Sequence, residues 1–326
     1  MESAVSFSNG HLKLRGILHT PDGPRARAGV ILLCPGYKHR VGQHRLYLYI
    51  ARTLSAHGLP VLRFDFHGLG ESAGEIKRCL FDDFWGYIQR GGFVSDTIAS
   101  VDFFREIASV EKVALMGLCG GAITGLIAGA RDSRVDGLIL INVSIALQGS
   151  SDDWFTKNMP PGLADSLLSA YVERIKSPRS WVRLLTLKSD YRVIWKSISS
   201  KLGRRWRSSG RIDLENDTGD SHVNPLFLES FRSYCSSGRP VLFAFSENDK
   251  EKWAFDANVL ERYLYSGNPY EKYYSISVVE GANHSFTLPE WRDELLDTSL
   301  AWLQHHLEAV PAGEGSDSKG INDAKE

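Results

Sequence analysis

One cysteine lies at the centre of a glycine-rich pattern whose central residue is typically a nucleophile. The run GLCGGA at residues 117–122 directly continues the apolar, strand-like stretch at residues 112–118, and a helix-like stretch follows it. The spacing Gly-x-nucleophile-x-Gly is typical of a sharp strand-to-helix turn, whose strained central residue requires small flanking residues. Cys119 is that central residue, and the helix N-terminus is expected to lower its thiol pKa. The alternative is a small buried cysteine in a glycine-rich turn.

A base and an acid follow this turn along the chain. The strand-like stretch at residues 241–246 is followed by Asp249, and the stretch at residues 273–279 is followed by His284. A cysteine nucleophile needs a base to take its proton and an acid to orient that base. The sequence therefore predicts a triad of Cys119, His284 and Asp249.

Each partner of the cysteine has rivals nearby in the sequence. Glu247 lies two residues before Asp249 and is the alternative acid. His284 itself could be an ordinary loop histidine, and the other candidate bases are His222, His305 and His306.

Acyl chemistry also needs backbone donors for a developing oxyanion. The amide of Gly120, directly after the nucleophile, is the first candidate. The second is the amide of Tyr37, because the run PGY at residues 35–37 follows the strand-like stretch at residues 29–34 and allows the chain to turn back. A lone GxG at residues 68–70 does not complete a dinucleotide-binding pattern and is interpreted as a structural turn.

Strand-like and helix-like stretches alternate through most of the chain, which predicts an α/β fold. The strands are rich in Val, Ile and Leu without clean alternation, as in a mostly parallel sheet covered by helices on both faces. Residues 4–7 and 12–18, joined through Asn9-Gly10, predict a β-hairpin.

One long stretch interrupts the alternation, and we interpret it as a helical cap inserted into the fold. It contains four tryptophans, Trp154, Trp181, Trp195 and Trp206, and a basic segment at residues 188–211. We expect Trp154, Trp181 and Trp195 to contact the substrate, although a helical cap also needs aromatic residues simply to pack. The predicted parts are a core at residues 1–143, the cap at 144–238, the rest of the core at 239–310 and a disordered tail at 311–326.

The composition and charge of the chain exclude several classes of protein and of binding site. The 326 residues are 43% hydrophobic and 24% charged, which excludes disordered and collagen-like classes, and a net charge of −1 gives no field to gather nucleic acid. The four cysteines form no CxxC pair, and no metal cluster, phosphate loop or flavin motif is visible. We therefore expect no metal and no cofactor. The beginning of the chain lacks a signal-peptide pattern and no apolar run is long enough for a membrane span, which favours a cytoplasmic protein.

The residues resemble a known superfamily. The run RFDFHGLGES at residues 63–72 and the order nucleophile, acid, base are similar to those of α/β hydrolases, over most of residues 6–308. The runs GYKHRVGQHR at residues 36–45 and SPRSW at residues 177–181, together with the GLC turn, resemble the exosortase A system-associated hydrolases, which also carry cysteine as nucleophile. The glycine pair after Cys119 is more similar to the dienelactone hydrolases.

Together these features predict an enzyme that forms an acyl-cysteine intermediate. Its substrate would be a small-molecule ester, thioester or lactone, and the basic segment at residues 188–211 would suit an anionic carrier protein that bears phosphopantetheine. Because amines and thiols cleave a thioester more readily than water does, acyl transfer is as compatible with the sequence as hydrolysis. The alternative is a non-catalytic binding or scaffold protein on the same fold.

Overall fold

The described part of the protein is built around one β-sheet, as the sequence predicts. The computed structural model describes residues 1–76, 81–146 and 223–308. Apart from Ala146, these fall within one compact unit, Met1–Ile145 and Arg211–Glu326. The eight strands are β1 (Glu2–Asn9), β2 (Leu12–His19), β3 (Ala28–Leu33), β4 (Val61–Phe64), β5 (Lys112–Leu118), β6 (Gly137–Ile141), β7 (Val241–Asn248) and β8 (Tyr274–Asn283).

The strands form one sheet in the order β1-β2-β4-β3-β5-β6-β7-β8. β1 and β2 form the predicted hairpin, in which Asn9 pairs with Leu12 and Gly10 turns with a φ of +57°. β2 also pairs antiparallel with β4, and every pairing from β4 to β8 is parallel. The mostly parallel sheet is therefore confirmed.

Helices cover both faces of the sheet, which explains why β3 and β6 are buried at every residue. The helices α1 and α7 pack on one face, and α2, α3, α4 and α5 pack on the other. In chain order the α-helices of the described residues are α1 (Leu46–Ala56), α2 (Phe81–Gln89), α3 (Val94–Ala108), α4 (Gly120–Arg131), α5 (Pro225–Ser236), α6 (Lys250–Phe255) and α7 (Pro289–Leu307).

The predicted cap stays a prediction, because residues 147–222 lie outside the described part of the chain. Within its expected range the structure describes α5, which begins at Pro225 after the capping side chain of Asn224. On this helix Tyr234 lies 3.0 Å from the position that a Cβ on Gly129 of α4 would take. From residue 225 onward the chain therefore packs on the same face of the sheet as α4. The predicted tail at residues 311–326 also lies outside the described residues.

Candidate active site

The turn between β5 and α4 has the strained geometry that its glycines predict. Cys119 adopts φ +56° and ψ −109°, a conformation that residues with a side chain rarely take. A Cβ added to Gly117 would lie 2.4 Å from the carbonyl carbon of Gly121, and one added to Gly121 would lie 2.1 Å from the carbonyl oxygen of Leu33. Both glycines are therefore required by close backbone approach, and Cys119 stands at the carboxyl edge of the sheet.

The structure brings His284 and Asp249 to the same edge. His284 follows β8, and its imidazole donates from Nδ1 to Oδ2 of Asp249 at 2.5 Å. A second hydrogen bond joins the imidazole to the thiol of Cys119. Asp249 follows β7 and caps α6, with its Oδ1 accepting from the backbone N–H of Glu251 at 3.1 Å. The three predicted triad residues thus form one continuous hydrogen-bonded chain.

The alternative acid occupies a different place. Glu247 is exposed, and its carboxylate accepts from the backbone N–H of Gly281 at 2.8 Å. It thus braces the end of β8 that leads to His284, whereas Asp249 contacts the imidazole. Two of the alternative bases lie on α7, where the rings of His305 and His306 meet edge to face and the His306 ring also contacts Trp302. His222 lies outside the described residues.

The expectation of a lowered thiol pKa is wrong. Cys119 is only 7% exposed, and this burial raises its pKa. The hydrogen bond from His284 acts in the opposite direction, but the negative charges of Glu251 and Asp249 add to the increase. A buried thiolate loses its hydration, and this loss is the largest cause of the raised thiol pKa.

The pKa of His284 is raised as well. Burial alone lowers the pKa of His284, but the hydrogen bonds to Asp249 and Cys119 outweigh it and raise the pKa to about 10. An imidazole held in this way readily accepts a proton, because its charged form is stabilised on both ring nitrogens. The site is therefore suited to moving the thiol proton onto His284.

The two candidate oxyanion donors lie on adjoining segments. Gly120 begins α4, where the first N–H groups have no acceptor within the helix, and a Cβ on it would lie 2.5 Å from the carbonyl oxygen of Pro35. The loop that contains Tyr37 therefore packs directly against the turn. Burial, followed by the charge of Cys119, raises the pKa of the Tyr37 phenol, so this side chain lies near Cys119.

Two buried side chains that the sequence analysis did not single out brace this edge of the sheet. The hydroxyl of Tyr47, on α1, donates to the carbonyl of Leu33 at 2.5 Å and accepts from the N–H of Leu118 at 2.8 Å. It thus ties β3 to β5 directly below Cys119. A tyrosine within an amphipathic helical pattern indicates only a core position, so the sequence gives no sign of this role.

Asn142 provides the second brace. It follows β6 with a φ of +43°, and its side chain donates to the Ser246 hydroxyl at 2.8 Å and to the carbonyl of His284 at 3.1 Å. Its Oδ1 accepts from the Ser246 N–H at 2.8 Å. Asn142 therefore joins β7 to the loop of the histidine. An asparagine directly after an apolar strand was the available signal.

Arg40, within the run at residues 36–45, has a structural role. Arg40 pairs with Asp65, which is fully buried at the end of β4, and with Glu71. The backbone N–H groups of Arg40 and Glu71 also donate to Asp65, at 2.6 and 3.0 Å. The GxG turn at residues 68–70 packs against the same carboxylate, since a Cβ added to Gly70 would lie 2.2 Å from Oδ2 of Asp65. This cluster fixes the loop after Tyr37.

Several predicted features lie outside the described residues, namely Trp154, Trp181, Trp195, Trp206 and the basic segment at residues 188–211. Within the described ranges, no group of three or more His, Cys, Asp or Glu side chains is arranged to hold a metal ion. In the same ranges, no helix combines the length and the apolar character that a bilayer crossing requires.

Comparison with known proteins places the chain in a family. The sequence profile described as serine aminopeptidase, S33, matches residues 25–194, which is more than half of the chain. The chain belongs to the S33 family of α/β hydrolases. The family is named for a serine enzyme, whereas the residue at the tip of the turn in this S33 member is Cys119. A comparison with curated proteins found no match.

Solved structures share the α/β-hydrolase fold of this S33 member. Proline iminopeptidase from Mycobacterium smegmatis is 16% identical with a TM-score of 0.55, covering 94% of this chain and 100% of its own. Est1E from Butyrivibrio proteoclasticus, solved with ferulic acid bound, is 15% identical with a TM-score of 0.54 over 94% and 100% of the two chains. Dienelactone hydrolase from Anabaena variabilis is 17% identical with a TM-score of 0.52 over 94% and 98%. The narrower resemblance to exosortase A system-associated hydrolases stays a prediction.

Proposed function

We propose that this hydrolase acts through an acyl-cysteine intermediate on an ester, a thioester or a lactone of a small molecule. The observation that carries the proposal is the hydrogen-bonded chain from Cys119 through His284 to Asp249, with Cys119 in the strained turn. Asp249 holds the imidazole in the tautomer that carries its proton on Nδ1. The other ring nitrogen is thereby directed at the sulfur.

The first half of the reaction forms the thioester. The thiol proton moves to His284 as the sulfur attacks the acyl carbon, and the imidazolium then gives this proton to the departing oxygen or sulfur of the substrate. The negative oxygen of the tetrahedral intermediate would be bound by the backbone amides of Gly120 and Tyr37. The hydrogen bonds to Asp249 and Cys119, which raise the pKa of His284, stabilise the imidazolium that this transfer forms.

The second half decides between a hydrolase and an acyltransferase. Water that attacks the thioester releases a free acid, whereas an amine or a thiol carries the acyl group away. Nothing in the first half depends on which acceptor is used, so both activities share one intermediate and one nucleophile.

The intermediate can be trapped and weighed. The full chain is incubated briefly with a butyryl thioester or a 4-nitrophenyl ester, and the intact mass and the modified peptide are determined. We expect the mass of one acyl group on Cys119 in the native protein, and none in Cys119→Ala. Cys34 and Cys235, both buried, serve as internal controls. Equal labelling of the native protein and Cys119→Ala would overturn the proposal, and the absence of adduct and turnover with a broad acyl panel would favour a non-catalytic scaffold.

A further inference from the structure

A second carboxyl group lies beside the triad and has no role in the steps above. Glu251 is in the first turn of α6, two residues after Asp249, and its backbone N–H donates to Asp249. Its side chain turns inward, since the residue is only 7% exposed. Charged side chains are rarely this buried unless they are paired, so the position of Glu251 needs a reason.

The surroundings of Glu251 include both reacting groups. The hydroxyl of Ser144, just beyond β6, donates to the carboxylate, and the carboxylate charge interacts with Cys119, His284 and Asp249. Burial raises the pKa of Glu251 to about 7. The ammonium of Lys250 lies 3.7 Å from Oε1, although the Lys250 side chain itself is 67% exposed. A cationic nitrogen therefore already fits at the outer side of this carboxyl group.

The charge of Glu251 opposes the first half of the reaction and suits the second. While Cys119 is free, an anion beside it disfavours the thiolate. Once the sulfur carries an acyl group it has no charge, and the repulsion disappears. The Glu251 carboxylate then remains beside the acylated sulfur as a charge that attracts a positively charged acceptor, and its burial strengthens that attraction.

We propose that Glu251 binds the acceptor of the acyl group, and that this acceptor is a primary amine arriving as an ammonium ion. This inference rests on the proposed acyl-cysteine intermediate and adds the chemical class of the acceptor. It makes Glu251 a catalytic residue of the second half-reaction.

The proton balance of this step is complete without any further reactant. The ammonium gives one proton to the Glu251 carboxylate, and the nitrogen lone pair attacks the carbonyl carbon of the thioester. As the C–N bond forms and the C–S bond breaks, His284 takes a second proton from the nitrogen and delivers it to the departing sulfur. The products are an amide, the Cys119 thiol and a protonated Glu251, which returns its proton to solvent.

Two amines of nearly equal size, one charged and one uncharged, can show whether the site recognises the charge of the acceptor or simply admits any small amine. Ethylamine is an ammonium ion near neutral pH, whereas 2,2,2-trifluoroethylamine is mostly uncharged. The full chain is acylated with a butyryl thioester in the presence of each amine, and the ratio of amide to free acid is measured. This ratio reports how the acyl-enzyme divides between acceptors and does not depend on how fast it forms.

We expect Glu251→Gln to lower the ethylamide-to-acid ratio about tenfold and to change the trifluoroethylamide ratio much less. Glu251→Asp, which keeps the charge, should restore part of the preference even if Glu251→Gln folds poorly. Glu280→Gln, an exposed residue on β8, is the matched control and should behave like the native protein. Equal effects on both amines, or no effect on either, would overturn the inference while leaving the acyl-cysteine in place. Failure of Cys119 to become acylated would instead overturn the proposed function.

Discussion

The imidazole of His284 and the carboxylate of Asp249 meet across 2.5 Å, although 35 residues separate them in the chain. The two residues follow neighbouring parallel strands, β8 and β7, whose carboxyl ends coincide. Glu247 is the penultimate residue of β7, and its carboxylate turns to the N–H of Gly281. The sheet geometry therefore places Asp249, and not Glu247, against the imidazole of His284.

A replacement of Asp249 that keeps its shape should test its effect on His284 without disturbing the fold. Asp249→Asn keeps the shape of the side chain but removes the charge that raises the pKa of His284, so we expect acyl transfer or hydrolysis to fall by about 10²–10⁴-fold. The measurement is the rate of acylation of Cys119 under single-turnover conditions. Glu247→Gln is the matched control and should lose far less. A comparable loss in both variants would contradict the assignment.

Gly121 should tolerate no side chain. Alanine normally favours a helix over glycine by about 1 kcal/mol. At Gly121, however, its Cβ would lie 2.1 Å from the carbonyl oxygen of Leu33. We expect Gly121→Ala to lower the free energy of unfolding by about 3 kcal/mol or more in a urea titration. Gly23→Ala, where no atom lies within 4 Å of the added Cβ, should have almost no effect.

The hydroxyl of Tyr47 should contribute to stability through its two buried partners. Tyr47→Phe leaves the N–H of Leu118 and the carbonyl of Leu33 each without one hydrogen bond, which should cost about 1–3 kcal/mol in the free energy of unfolding. Tyr49→Phe on the same helix removes an exposed hydrogen bond to Asp293 and should cost less than about 1 kcal/mol. If the two variants unfold alike, Tyr47 is not the brace described above.

The reactivity of Cys119 should depend on Glu251 in a defined direction. Burial and the charge of Glu251 raise the thiol pKa, so alkylation by iodoacetamide should increase with pH, with its midpoint above that of a free cysteine. Glu251→Gln removes one negative charge and should shift the midpoint to lower pH. Cys235, whose pKa burial raises to about 12, should stay unmodified in the folded protein. A shift of the midpoint to higher pH would contradict the electrostatics.

A second histidine pair should make stability depend on pH. His67 binds Asp96 through Nδ1 at 2.8 Å and Tyr87 through Nε2 at 3.0 Å, and the hydrogen bond to Asp96 raises its pKa. Because its pKa is higher in the folded than in the unfolded state, this stabilisation is full below the unfolded pKa and declines as pH rises through the folded one. His67→Gln should therefore lose about 1–3 kcal/mol at pH 5 and less at pH 9, in urea titrations. The exposed His11→Gln is the control, and a loss that does not change with pH would contradict the prediction.

The parts of the protein that follow from local pattern were predictable. The spacing of glycines around Cys119 predicts the turn because it reflects steric exclusion within a few residues, and strands such as β3 are apolar because helices cover both faces. The candidate triad could also be found, since each member directly follows a strand. Sequence order and strand ends together were sufficient to bring Cys119, Asp249 and His284 to one place.

The features that depend on burial were not predictable. The helix dipole suggested a lowered pKa for Cys119, but burial raises that pKa, and only the folded protein shows how deeply the thiol lies. The inward orientation of Glu251 is also invisible in the sequence, where the run NDKEK at residues 248–252 resembles an ordinary charged loop. Long-range braces such as Tyr47 leave no local pattern at all.

The position of β8 at the border of the sheet links catalysis to the last stage of folding. Within the described residues β8 pairs with β7 alone, and the chain reaches His284 only after every other strand has been synthesised. A ribosome-bound intermediate that lacks this segment would carry Cys119 without its base and would be catalytically silent. Likewise, if Cys119 and His284 act together as proposed, fraying of β8 alone would separate the base from the nucleophile while the remaining strands stay folded. Loss of turnover on gentle heating should thus precede the main unfolding transition.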